Sequence, residues 1–354
     1  MTRGRDLYAY VGARTTQKRN ARGNGLNVYR LTRQLQWVHL QLLELENPSF
    51  LAFDRTGQCL YTVHGDSDRV SAFAIDEAKG TLTFLNEQST RGHNPVHLAF
   101  DPSNRYMVVA NHITSSLALL PRFDDGSLGP VCDLAQVTGA IGPHRIEQAV
   151  PKPHQVEFDP SGKWIAVPDK GTDKVLVFAI DAAGSALREI SHCAARETSG
   201  PRHIAFHPRG HLAYVINELD STVTGYRFDR HAGKLQPLQI LSSLPDGFTA
   251  NSRASEIGIT ADGRFVYASN RGSDTIAGFA VGDDGRLELI GHWPTAGRTP
   301  RFFSILPGDR MLVANEDSDT VVAFDIDRDS GALVRRDEVL HVGSPVCILT
   351  KAAN

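Results

Sequence analysis

Cysteine is scarce: Cys59, Cys132, Cys193 and Cys347 are the four in 354 residues, and no two stand at C-x-x-C spacing. That spacing argues against a zinc site or a redox pair and leaves four buried or idle thiols. Long hydrophobic runs are also missing. The apolar stretches are a handful of residues, far short of the roughly eighteen that a membrane span needs, and the start MTRGRDLYAYVGART has no apolar core of signal-peptide length. A cytoplasmic location with no membrane partner is the expectation. Charge of one sign is lacking too: a formal net charge of -3 gives no general attraction to nucleic acid. No H-E-x-x-H, EF-hand loop, P-loop or G-x-S-x-G occurs, so metalloprotease, P-loop nucleotide and α/β-hydrolase chemistries have no support and no cofactor is expected.

What is plentiful is turn chemistry. The chain carries 31 Gly and 18 Pro, and they fall in register. A proline-led motif opens seven times: NPSFLAFD at Pro48, NPVHLAFD at Pro95, KPHQVEFD at Pro153, GPRHIAFH at Pro201, RASEIGIT with Ala254 in the proline place, TPRFFSIL at Pro300 and SPVCILT at Pro345. After each of the first six comes a tight turn such as DPSGK or TADGR, with the Asp, Pro and Gly that type I turns favour. A second strand then ends in Asn or a substitute, at His64, Asn111, Asp169, Asn217, Asn270 and Asn315. A polar loop leads to a third strand with period-2 alternation, and G-x-L at Gly80, Gly126, Gly233, Gly285 and Gly331 opens a fourth. Four antiparallel strands recurring at roughly 50 residues make propeller blades.

The seventh start has no room for three more strands before Asn354, whereas LYAYVG and GLNVYRL near the N-terminus read as second and third strands without a first. The ends complete each other. The expectation is therefore all-β: one seven-bladed β-propeller domain over residues 1–354, closed by residues 345 to 350 pairing beside residues 7 to 12. Such closure removes the free sheet edges, and an open solenoid would instead need polar capping repeats.

In a hairpin the start of one strand lies beside the end of the next, so two columns should crowd one mouth of the central channel. The residues after proline are Ser49, Val96, His154, Arg202, Ser255, Arg301 and Val346; those after the Asn equivalents are Arg14, Gly65, His112, Lys170, Glu218, Arg271 and Glu316. Nine of the fourteen are charged or histidine, and five positive charges face two negative ones. A mouth this basic on an acidic chain fits a small anionic partner, because guanidinium groups bind carboxylate or phosphate in bidentate fashion, with His154 as the group that titrates near neutral pH. The plainer reading pairs Arg202 with Glu218 and Arg301 with Glu316 as ties between strands. A ring of mostly Arg is poor company for a metal ion. Asp68, Asp173, Asp274 and Asp319 recur in the loops after the second strand and read as turn caps; His64, His207, His231, His292 and His341 read as surface.

The segments YVGARTTQ, GNGLNVYRL, NPSFLAFDRTGQCLYTV, GPHRIEQAVPKPHQVEFDPSGKWIAVPDKGTDKV, GPRHIAFHP, YVINELDSTV and ASNRGSDTIAGF resemble the seven-bladed propeller lactonase family over nearly the whole chain. That family includes propeller 6-phosphogluconolactonases and the fungal 3-carboxy-cis,cis-muconate lactonizing enzyme. The resemblance implies His154, Arg202, Glu218 and Arg271 as catalytic residues; the other charged residues of the mouth, Arg14, Lys170, Arg301, Glu316 and His112, together with Lys152, are expected to bind substrate. Lys152 stands where many members have a second histidine, and Lys170 where an apolar residue is common; both add positive charge. The implied activity is hydrolysis of a small anionic sugar lactone such as 6-phosphogluconolactone, in carbohydrate metabolism. His154 serves as general base, and Glu218 either orients Arg202 or, with a raised pKa, protonates the leaving oxygen. A carboxymuconate cycloisomerase uses the same residues. A non-catalytic scaffold for protein partners predicts an apolar patch at the mouth instead.

Overall fold

The computed structural model describes residues 6–181 and 185–353. Their strands form seven four-stranded sheets, each antiparallel in sequence order except the one that joins the two ends of the chain. We number the blades by their opening residue, so that blade 1 starts at Pro48 and blade 6 at Pro300. Blade 7 is built from Pro345–Ala352, Leu7–Ala13, Leu26–Leu31 and Trp37–Leu43. Within it Leu7 pairs with Ala352 and Gly12 with Cys347, the expected closure. Among the described residues no helix is long and apolar enough to cross a membrane.

The repeat signals turn out to be ties between blades as much as punctuation within them. The Asn that ends the second strand is fully buried, and in three blades it donates backwards: Asn111 to Thr90 O, Asn270 to Ser243 O and Asn315 to Thr295 O, each the last turn of the preceding blade. The loop aspartates reach forwards. Asp173 accepts the backbone N–H of Gly200 and Asp274 that of Thr299, and Asp319 accepts that of Ser344, so each caps the approach to the next opening strand at 2.8 Å. The G-x-L glycines take positive φ and leave room for a side chain of the preceding blade, an aromatic ring at Gly80, Gly233 and Gly331. A Cβ on Gly80 (φ 73°) falls 2.2 Å from the Tyr8 ring, while Gly80 O accepts the Tyr10 hydroxyl at 2.9 Å. Tyr61, Tyr214 and Tyr267 repeat that bond to Gly126, Gly285 and Gly331. Apolar clusters fill the wedges between neighbouring blades, as where Tyr61, Val63 and Ala72 of blade 1 meet Leu98, Phe100 and Val109 of blade 2.

One feature of the opening strands decides what faces the channel. All seven carry one extra residue just after the opening position: Pro48 pairs with His64 but Phe50 with Val63, Pro201 with Asn217 but His203 with Ile216, Ala254 with Asn270 but Ile257 with Ala268. Blades 2, 6 and 7 do the same, and in blade 3 the extra residue lies between the Pro153–Asp169 bridge and the Glu157–Ala166 pair. A bulge cancels the alternation of the strand, so consecutive side chains turn to the same side.

Four cysteines are free, Cys59 and Cys347 buried and Cys132 exposed. Two histidines read as surface are interior: His64 is 1% exposed, held by Glu46 O and Ser71 Oγ at 2.7 Å each, and His207 is 6% exposed in the turn of blade 4.

Candidate active site

The bulges bring the first column together. Six of its seven residues (Ser49, Val96, His154, Arg202, Arg301 and Val346) line one small chamber in the channel with Arg14, and Ser255 stands in its wall, its Oγ bonded to Arg301 O at 2.7 Å. The second column supplies the charges around it. Glu218 is the hub: Lys170 Nζ lies 3.3 Å from Oε1, while Arg202 Nε and Arg271 Nη2 lie 3.3 and 3.4 Å from Oε2. A second hub is Glu316, with Arg14 Nε at 3.3 Å and Arg301 Nη1 at 3.9 Å. Both pairs expected as strand ties therefore exist, and each carboxylate gathers more than one cation.

This geometry fixes the protonation states. Burial pushes the Glu218 carboxyl up, but Lys170, Arg271, Arg202 and Arg301 together overwhelm that and hold it well below the usual range. Glu218 is thus a carboxylate, which corrects the alternative that it donates a proton. His154 is 6% exposed; burial first, then Arg202 and His112, hold it well below an ordinary imidazole, so it is neutral. Its ring meets His112 and His203 edge-on, with centroids 5.0 and 5.1 Å away. His112 in turn faces Pro153 O through Nδ1 at 3.2 Å, and burial lowers its pKa to about 3. Arg202, buried, donates from Nη1 to Ser255 O at 2.6 Å. Lys152 stands at the rim, its Nζ 3.4 Å from Ile146 O.

Several charged residues here lie outside the two columns. The bulge sends the next residue of each opening strand inward too, so His203 and Glu256 join the chamber wall, with His203 Nδ1 3.0 Å from Glu256 Oε1. Burial raises Glu256, against the pull of Arg202, to about 8, and lowers His203 well below its ordinary value, so the pair is neutral near pH 7. A third column (Phe50, His97, Gln155, His203, Glu256, Phe302 and Cys347) carries polar residues in otherwise apolar strands. That is the signal that marks it. Part of its work is structural: Gln155 Oε1 accepts from Ile204 N, and Cys347 Sγ from Leu51 N at 3.4 Å. The other missed residues come from loops. Glu147, on the strap of residues 137–152 between blades 2 and 3, accepts Lys170 Nζ at 3.0 Å and Arg253 Nη1 at 2.6 Å. The strap is fastened by Gly142 N to Gly171 O and Gln148 Nε2 to Lys170 O.

Chemically, the chamber offers a neutral imidazole with unpartnered Nδ1, an unpartnered guanidinium nitrogen on Arg14, and about 20 Å³ for the centre of a small molecule. That space suits a single water or the edge of a reacting group. Among the described residues no group of three or more His, Cys, Asp or Glu could hold a metal ion.

Comparison with known proteins agrees with this architecture. Residues 8–350 match the family model described as Lactonase, 7-bladed beta-propeller. The chain is 36% identical over 310 residues to a 6-phosphogluconolactonase of Bacillus subtilis, covering 86% of this chain and 87% of that protein. It is 31% identical over 350 residues to one of Formosa agariphila, covering 94% and 96%. The solved structure of a periplasmic gluconolactonase of Pseudomonas aeruginosa superposes with a TM-score of 0.90 at 29% identity, over 99% of this chain and 100% of that one. Sequence, strand order and site charge lead to one conclusion: this chain belongs to the seven-bladed β-propeller lactonase family.

Proposed function

We propose that the protein hydrolyses a small anionic sugar lactone, with 6-phosphogluconolactone the leading substrate, and that the chamber around His154 is where the ring opens. The observation that carries this reading is a buried neutral imidazole beside a cluster in which six cations (Arg14, Lys170, Arg202, Arg253, Arg271 and Arg301) surround Glu218 and Glu316. The relatives' names support the substrate class.

The lactone carbonyl sits toward the cationic cluster and a water sits against His154. His154 takes one proton as the water oxygen bonds to the carbonyl carbon, and positive charge from Arg202 and Arg271 stabilises the oxyanion. The carbonyl then re-forms, the ring C–O bond breaks, and the proton on His154 passes to the departing ring oxygen. The new carboxyl group ionises at neutral pH, so each turnover releases one proton. Glu218 stays charged and holds Arg202, Lys170 and Arg271 in place. His112 packs on the His154 ring, and Arg14, Arg301 and Glu316 close the opposite wall; Lys152 adds charge at the rim. The unpaired thiols, one of them exposed, fit a reducing compartment, and the cytoplasm is the proposed location.

The test is direct: purified protein is given 6-phosphogluconolactone and, separately, carboxymuconate, with loss or gain of lactone followed alongside acid release. Stoichiometric lactone loss and proton release support hydrolysis. Turnover of carboxymuconate alone overturns it in favour of the cycloisomerase.

A further inference from the structure

Most mouth cations are already committed. Arg14 and Arg301 face Glu316, Arg202 is buried with one nitrogen on Ser255 O, and Lys170 lies between Glu147 and Glu218. Arg253 differs. Its side chain is 47% exposed, and it belongs to neither column because it precedes the opening position of blade 5. It lines a cavity of about 540 Å³ with Arg271, His144, Asn251, Ser252 and Gly272, and no carboxylate is among the lining residues. Gly272 (φ 106°) keeps one wall open, since a Cβ there falls 2.3 Å from Asn251 O. Two guanidiniums, an imidazole, an amide and a hydroxyl around a space of this size suit an oxyanion carried by a small molecule.

The cavity also connects with the candidate chemistry. Arg271 Nη2 touches both Ala254 O at 2.9 Å and the hub carboxylate of Glu218 at 3.4 Å, so one side chain borders cavity and cluster. Arg202, which lines the chamber with His154, lies 3.3 Å from the same Glu218 Oε2, so one carboxylate links the chamber to the Arg271 wall of the cavity. On the far side Glu147 fixes the Arg253 Nη1 edge at 2.6 Å, which orients the guanidinium without entering the cavity.

We propose that this cavity is a phosphate subsite and that Arg253 makes the protein prefer a phosphorylated sugar lactone to its unphosphorylated counterpart. The proposal rests on the lactonase reading, and its test separates the two. Wild type, Arg253→Gln and Arg253→Lys are compared on 6-phosphogluconolactone and on gluconolactone. The ratio of kcat/KM between the two substrates is expected to fall roughly 10- to 100-fold in Arg253→Gln, mainly through KM on the phosphorylated lactone, the loss of one charge-assisted contact. Arg253→Lys should recover part of that ratio. An unchanged ratio overturns the subsite while leaving lactonase activity standing. Calorimetric binding of inorganic phosphate and of 6-phosphogluconate reads the subsite without turnover. Weakening of both in Arg253→Gln supports it even if neither lactone is hydrolysed, and equal binding by wild type and variant, or no binding by either, overturns it.

Discussion

His154 has to accept a proton in a place that resists positive charge. Burial, Arg202 and His112 keep it neutral far below pH 6.5, so the base is in its working form throughout the neutral range. The acidic limb of kcat/KM should therefore lie well below pH 6.5, and a limb near the ordinary imidazole value argues against His154 as the base. His154→Asn should lower turnover by roughly two to four orders of magnitude. Because the ring packs between His112 and His203, the variant should also lose a little stability, about 1 kcal/mol, so turnover must be normalised to folded protein. Glu218 poses the converse case. Its pKa is held below the unfolded value of 4.5, and a carboxyl depressed on folding adds stability above about pH 4.5 that is lost as pH falls below it. Glu218→Gln strands Arg202, Lys170 and Arg271 without their counter-charge. It should cost about 3–5 kcal/mol at pH 7, and that cost should shrink as the pH drops below 4.5; denaturant melts at pH 7 and pH 3.5 would show whether the gap between the two proteins narrows.

At the scale of the strand, the repeat was readable because its signals are physical necessities. An Asn that donates to the previous blade, an Asp that caps the next one and a glycine pressed against a side chain of the preceding blade each answer a contact between blades. The two columns around His154 and Glu218 could be read for the same reason. What escaped was the bulge. Alternation assigns one channel-facing residue to the head of each opening strand, whereas the extra residue turns two inward, so His203 and Glu256 stand beside Arg202 and Ser255, marked in the sequence only by being polar within apolar strands. Burial of His64 escaped because its partners, Glu46 O and Ser71 Oγ, come from different strands. Glu147 and Arg253 escaped because their meeting spans 106 residues and depends on how the 137–152 strap lies. The glycine argument yields its own prediction. Gly80→Ala places a methyl group against Tyr8 at positive φ and should destabilise the protein by roughly 1–3 kcal/mol, with the thermal midpoint as readout. Gly57→Ala, at similar φ with nothing within 4 Å of its Cβ, isolates the backbone part of that cost.

For the whole molecule, the central question is how a ring made of weak, similar contacts stays shut. The apolar wedges join each blade to its two neighbours, so the ring is as strong as its last joint, and that joint is the strand Pro345–Ala352 lying against Leu7–Ala13. The strand contributes more than hydrogen bonds. Cys347 and Ile348 are fully buried in two different wedges, one packed toward blade 1 and the other toward blade 6, and Cys347 Sγ also receives Leu51 N. Removing residues 345–354 therefore uncovers two apolar wedges and leaves Leu7–Ala13 as an open edge, which is a template for pairing between chains. The truncated protein should lose its single cooperative melt and elute as large oligomers, whereas cutting after residue 352, which spares every ladder pair, should leave both unchanged. The site depends on the same joint. Val346 lines the chamber, and Ser344 O accepts the backbone N–H of Arg14, the residue that faces Glu316. If the truncated chain instead remains monomeric and turns over lactone at the wild-type rate, neither the ring nor the chamber needs its closing strand.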